Sequence, residues 1–187
     1  MLVPALARYA DTGTPAELSD DSDCPRAREG AEATPMNDQI IPRFVGPYRF
    51  LSNFYPAVII MDMELYPSVE HAYQAAKTLS PAERQEIRNC ESPGRAKRMG
   101  RGVTIRDDWD EIKLTIMESL LRYKFILGAS GRDLGERLCS TYPKKLEEGN
   151  LWGDTYWGVS LDTGKGENRL GRLLMKIRRD LMKGTPR

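Results

Sequence analysis

At 187 residues, with 40% apolar content and a formal net charge of +1, the chain has room for one domain with a real core and little more. No apolar run approaches the roughly 20 residues of a membrane span, and the opening residues 1–7 are too few, and lack the leading basic residues, for a signal peptide. Three widely spaced cysteines, Cys24, Cys90 and Cys139, and a single histidine, His71, argue against a disulfide framework, a zinc or histidine metal site and a serine–histidine triad, and make a reduced, cytoplasmic setting the default expectation.

Residues 1–39 hold eight acidic against three basic side chains, are poor in aromatics and keep no helical or strand period. They read as an acidic, disordered tail. Residues 40–187 carry the balancing net charge of +6, which suits a phosphate-bearing partner but falls short of a dedicated DNA-binding surface. Folding is expected to begin near Ile40. The aromatic-dense run from Arg43 to Pro56, broken by Gly46 and Pro47, reads as a short strand feeding a packed loop. Val58–Met61 and Glu64–Tyr66, joined at Asp62-Met63, predict a β-hairpin.

Pro67-Ser68 then starts a helix expected to run to Leu79, with Ser68 placed to accept from an unpaired N–H of the first turn. At about 100° per residue, Val69, Ala72, Tyr73, Ala76 and Leu79 share an apolar face. Glu70, Gln74 and Lys77 form a polar stripe beside it, close to Tyr73. Ser80-Pro81-Ala82-Glu83 starts a second helix to about Asn89, with Glu83 placed to reach back. Ser92-Pro93 starts a third, bearing Arg95, Lys97, Arg98 and Arg101. Asp107-Asp108 caps a long helix with apolar positions Trp109, Ile112, Ile116, Leu120, Tyr123 and Leu127. A short helix over 132–141 carries Leu134 and Leu138, and Lys145–Glu147 reads as an edge strand. The last helix buries Leu170, Leu173, Leu174, Ile177 and Leu181. Helices outnumber short strands, and an α+β class, one helix-dominated domain with a small β-sheet, fits better than an alternating parallel sheet.

Three features could carry chemistry. Glu70 and Lys77 lie roughly 10 Å apart along the helix, too far for an easy salt bridge but spaced for a sugar-sized ligand; a solvated charge stripe is the plainer alternative. A nucleophilic lysine must be partly unprotonated, which burial promotes and a neighbouring carboxylate opposes. Asp154, between Trp152 and Trp157, either contacts a ligand or caps a turn, while Trp152 reads as core. Gly164–Asn168 leads into a helix whose first N–H groups could bind a phosphate, although the loop matches no phosphate-binding signature. The basic residues 95–101 could reach the same anion, or form a solvated face.

Several stretches, taken in order, resemble the NADAR (YbiA-like) family. They are Phe50–Pro56, Ser68–Lys77, Ala96–Arg101, Arg106–Asp110, Asp154–Gly158 and Gly164–Met175, and the similarity spans about residues 43–182. The resemblance implies N-glycosidic bond hydrolysis on ribose-phosphate compounds. Two chemistries go with it: release of ADP-ribose from modified guanine, in nucleic acid (DNA or RNA) or nucleotides, and cleavage of phosphoribosylamino-pyrimidine intermediates of riboflavin synthesis. It makes Lys77 a Schiff-base nucleophile and Glu70 and Asp154 its acidic partners. Trp109 and Trp157 shape the pocket, with Asn53, Phe54, Tyr73, Gln74, Gly166 and Asn168 as further contacts. Neither a metal nor another cofactor is implied. A non-catalytic ADP-ribose reader is the alternative from another class.

Overall fold

The computed structural model describes Gln39–Gly184, so the acidic stretch lies outside the described residues. The described chain forms β1 (Ile40–Ile41), a 3-10 helix (Gly46–Leu51), β2 (Ile59–Met61), β3 (Glu64–Tyr66), α1 (Val69–Ala75), α2 (Pro81–Arg88) and α3 (Pro93–Met99). It continues with α4 (Trp109–Arg122), a π-helical turn (Tyr123–Leu127), α5 (Gly131–Ser140), β4 (Lys145–Leu146), β5 (Gly149–Asn150), β6 (Val159–Ser160) and α6 (Arg169–Met182). The class is α+β and helix-dominated. The strands make three separate two-stranded ladders, β1 parallel to β4, β2 antiparallel to β3 and β5 parallel to β6. Among the described residues no helix is long and apolar enough to cross a membrane.

The hairpin forms where its sequence predicts it, with Met61 opposite Glu64. Asp62 and Met63 both take positive φ, 53° and 64°, the handedness that matches a two-residue turn to the twist of its strands. The expected strand within residues 43–56 is instead the 3-10 helix, because Pro47 sits at its start, fixing φ and removing a ladder donor. Its Phe50 and Leu51 are buried, and the loop that follows is pinned to α1 by the Glu70 N–H on the Asn53 carbonyl at 3.1 Å.

Helix α1 is central: all seven of its residues are buried. Ser68 caps it, its Oγ accepting from His71 N at 3.4 Å. The helix stops a turn short of the expected end, and Leu79 is 64% exposed rather than on the buried face. Lys77 and Thr78 already donate to carbonyls three residues back, and Ser80, which precedes Pro81, is held extended. In α2, Ser80 Oγ accepts from Glu83 N, but the Glu83 carboxylate does not reach back to its cap. It accepts instead from Thr78 Oγ1 and from Thr104.

His71 is a satisfied core histidine, with Nδ1 2.8 Å from Ser68 Oγ and Nε2 3.2 Å from the Cys90 carbonyl. Burial lowers its pKa, against the opposing pull of that carbonyl. A lowered folded-state pKa stabilises the fold above the ordinary value of 6.5 and ceases to as pH falls through the folded value. Thermal melts should therefore drop as pH is taken from 7 to 5, and His71→Gln should flatten that part of the profile.

Helix α4 buries a face turned from the expected stripe, of which only Trp109 and Leu120 are buried. Trp109, Met117, Leu120 and Leu121 are buried, then Lys124 and Phe125 in the π-helical turn, while Leu127 is 65% exposed. The capping position is Asp108, yet its carboxylate pairs with Arg106 rather than with the helix N–H groups. Leu134 and Leu138 of α5 are buried, as are Leu170, Leu173, Leu174 and Ile177 of α6, which close the same core. Each such side chain contributes about 1.5–3 kcal/mol by burial.

Candidate active site

Helix α1 and the loops around it enclose a cavity of ≈ 380 Å³. Its floor is Glu70, Tyr73, Gln74 and Lys77. Glu70 and Gln74 lie a turn apart on α1, and Gln74 Nε2 donates to Glu70 Oε1 at 2.7 Å. Lys77, half-buried just past the helix end, donates from Nζ to the Gly100 carbonyl at 3.3 Å. Gly100 is glycine for steric reasons: a Cβ there would fall 2.1 Å from Gln74 Oε1. The missing side chain lets the end of α3 close over the Glu70–Gln74 pair.

One wall is the loop Ser52–Asn53–Phe54. It is held from behind by Lys124, fully buried, whose Nζ donates to the Ser52 carbonyl at 2.7 Å. The Lys124 amine sits between the Tyr55 and Phe125 rings, and burial lowers its pKa to about 7. A second wall is aromatic. Tyr73 packs against Trp109 at 5.1 Å and edge-on to Trp157 at 5.5 Å, and Tyr156 meets Trp157 at 5.0 Å. Lys113 stands 4.6 Å over Tyr156, and Lys97 lies between Phe54 and Trp152 at 5.9 and 5.5 Å. Both amines line the cavity, Lys113 while paired with Asp110 at 2.5 Å, and Lys97 adds positive charge suited to an anionic ligand.

The third wall is the segment from Glu148 to Trp157. Buried Asn150 organises it: Oδ1 accepts from Asp154 N at 2.9 Å, and Nδ2 donates to the Asp154 and Val159 carbonyls at 2.8 and 3.3 Å. Asp154 in turn caps the following turn, its Oδ1 accepting from the N–H groups of Tyr156 and Trp157 at 3.2 and 2.8 Å. It also lines the cavity, so capping the turn does not remove it from the site.

The electrostatics push the two central groups toward their neutral forms. Burial raises the Glu70 pKa above the carboxylate range; the Gln74 bond and the Lys97 and Lys77 charges oppose this, and Asp154 adds to it. Burial lowers the Lys77 pKa, Glu70 pulls it back up, and Lys97 and Arg101 push it further down. The tension expected between acid and amine is therefore resolved toward an amine more easily deprotonated than usual. Tyr73, by contrast, is made harder to ionise by its burial.

Nine sequence-predicted site residues line this cavity: Asn53, Phe54, Glu70, Tyr73, Gln74, Lys77, Trp109, Asp154 and Trp157. Gly166 and Asn168 do not. The N–H groups of Asn168, Arg169 and Leu170 at the start of α6 donate to the Gly158, Tyr156 and Trp157 carbonyls, so the expected phosphate-binding donors are already engaged. Gly166, at φ 155°, packs on Gly158, whose carbonyl a Cβ would meet at 2.2 Å. Asn168 is buried and uses its side chain on the Leu146 carbonyl and the Glu148 N–H. Trp152 is 63% exposed at the cavity mouth rather than in the core. Lys97, Lys113, Met117, Glu148, Asn150 and Tyr156 also line the cavity. Of these, Lys97 had a sequence signal as part of a basic helix and Tyr156 lay within the Asp154–Gly158 stretch. Among the described residues, no group of three or more His, Cys, Asp or Glu side chains could hold a metal ion.

The α+β, helix-dominated fold agrees with the comparisons to known proteins. The family model described as the NADAR domain matches residues 43–182, and the chain belongs to the NADAR family. It is 42% identical over 136 residues to the N-glycosidase YbiA of Escherichia coli K12, covering 72% of this chain and 82% of that one. It is 34% identical over 139 residues to a riboflavin biosynthesis protein of Vibrio vulnificus, covering 73% of this chain and 36% of that larger one. The NMR structure of E. coli YbiA superposes with a TM-score of 0.66 at 40% identity, over 79% of this chain and 88% of that one.

Proposed function

We propose that this protein is an N-glycosidase that releases ADP-ribose from ADP-ribosylated guanine, in nucleic acid or free nucleotide, through an imine on Lys77. The observation that carries the reading is one cavity holding an amine whose pKa is lowered and a buried acid whose pKa is raised. The amine is a nucleophile in its neutral form, and the acid is a proton donor in its own. The relatives named N-glycosidases support the reaction class.

In this mechanism the Lys77 amine attacks the ribose C1′, and the base leaves with the electrons of the C1′–N bond, taking a proton from Glu70. The lysine-bound sugar opens as the C1′–O4′ bond breaks, the surplus proton on the lysine nitrogen passes to O4′, and C1′ is left double-bonded to that nitrogen. Water then adds at C1′, the lysine departs, and free ADP-ribose remains with Lys77 regenerated. Asp154, at the cavity edge, stabilises positive charge developing at C1′. The aromatic wall holds the base, and Lys97 and Lys113 meet the diphosphate.

The test is incubation with an ADP-ribosylated guanine oligonucleotide, mass analysis of products, and borohydride trapping. ADP-ribose should appear, and reduction should fix it to the tryptic peptide containing Lys77. Turnover with no adduct on Lys77 would overturn the mechanism. The likeness to a riboflavin biosynthesis protein favours a second reading, cleavage of a phosphoribosylamino-pyrimidine. Ribose 5-phosphate released from that substrate, with the guanine adduct untouched, would select it. ADP-ribose binding without turnover of either substrate would select a non-catalytic reader.

A further inference from the structure

Of the three acids lining the cavity, Glu148 has no task in the reaction above, yet its backbone is held on both sides. Its N–H donates to Asn168 Oδ1 at 3.2 Å, and its carbonyl accepts from Val159 N at 2.9 Å. Asn168 Nδ2 holds the Leu146 carbonyl at 2.8 Å, so this one side chain brackets the backbone on both sides of Glu147. Gly158 completes the clamp, since a Cβ there would lie 2.2 Å from the Glu148 carbonyl. From this fixed backbone the carboxyl enters the cavity, and its Oε2 is buried with no hydrogen-bond partner. Asn53 Oδ1, on the facing loop, is a second buried acceptor without a partner. Buried polar atoms left unpaired carry a free-energy cost, and a bound ligand relieves it.

Resting on the reading of this cavity as one that takes an N-glycoside, we propose that Glu148 is a ligand-contacting residue whose Oε2 accepts a hydrogen bond from the substrate. The donor is either a ribose hydroxyl or a base N–H, and the bond fixes how the substrate lies against Lys77. Asn168, Gly158 and the β5–β6 ladder are then positioning elements for this acid. The groups facing Glu148 are Glu70 from α1, Lys97 from α3, Lys124 from the π-helical turn and Asp154 from its own wall. Burial first, then Asp154 and Glu70, against Lys97 and Lys124, raise its pKa to about 7.

A folded pKa above the ordinary 4.5 means the charged form weakens the fold, increasingly as pH rises through about 7. Glu148→Gln should therefore melt higher than wild type at pH 8 while binding substrate less well, a combination a merely structural acid would not give. Two measurements separate the donors: calorimetric titration with ribose 5-phosphate, which offers hydroxyls but no base, and steady-state kinetics on the ADP-ribosylguanine oligonucleotide. Ribose 5-phosphate affinity reduced roughly tenfold or more, the equivalent of one well-made hydrogen bond, assigns Glu148 to the sugar. Unchanged ribose 5-phosphate affinity with KM raised roughly tenfold assigns it to the base. Both within twofold of wild type, or weaker binding together with a lower melting point at pH 8, overturns the proposal. Glu148→Asp, which keeps the carboxylate but withdraws it by one methylene, takes the same measurements if the glutamine variant does not fold. Wild type that neither binds ribose 5-phosphate nor turns over defeats the reading of the cavity itself; an active wild type indifferent to Glu148 defeats only this inference.

Discussion

Lys77→Ala is expected to lower kcat/KM on an ADP-ribosylguanine substrate by about a thousandfold or more, with melting temperature close to that of wild type. A covalent catalyst that loses its nucleophile falls back on binding and charge stabilisation alone. Stability should be spared because Lys77 is half-buried, past the helix end, and its amine makes one long bond at 3.3 Å to a carbonyl. Lys77→Arg should not rescue the loss, since a guanidinium keeps its proton at all working pH values. The pH profile follows from the same pair. Activity needs the neutral amine and the protonated acid, so the rate should fall at both ends of the pH range, with limbs set by the coupled Lys77–Glu70 pair. Single-turnover rates across pH, with and without Lys77→Ala, check this. A variant retaining a tenth of wild-type activity would rule out the covalent route.

Asn150→Ala should cost about 2–4 kcal/mol of stability and at least tenfold in activity. The side chain is fully buried and serves two carbonyls and one N–H, all of which lose this partner when it is removed. It closes the loop from residue 150 to 154 that carries Trp152 to the cavity mouth and Asp154 to its edge. Losing it should release both at once. Denaturant melts measure the first effect and kcat/KM the second. An Asn150→Ala protein as stable and as active as wild type would mean that the Asp154 turn stands without it.

Much of this was legible in the sequence because local rules and tertiary packing agree there. Three Ser-Pro or Ser-capped starts, the Asp62-Met63 hairpin and the leucine stripe of α6 all form as their patterns predict. The failures share a cause. On α4 the stripe of Trp109, Ile112, Ile116 and Leu120 puts the buried face roughly 70° away from where it lies, at about 100° per residue. The true face takes in Met117 and Leu121 and continues to Lys124 in the π-helical turn, and a rule that seeks hydrophobic period passes over a buried lysine. Trp152 was read inward for the converse reason, that large aromatics are usually covered. The glycine-rich approach to α6 looked like an anion site because its N–H groups seemed unpaired; only the fold shows the carbonyls of residues 156–158 taking them. Glu148 had no local signal at all, since what distinguishes it is a clamp assembled from residues 158 and 168.

The lysine behind the Ser52–Phe54 loop has one more consequence. With its pKa lowered to about 7, its charge comes and goes near neutrality, yet ammonium and free amine alike have hydrogen to offer the Ser52 carbonyl. The anchor therefore holds in both states while the electric field reaching the cavity does not. The Ser52–Phe54 wall of the cavity thus keeps its anchor on either side of neutrality.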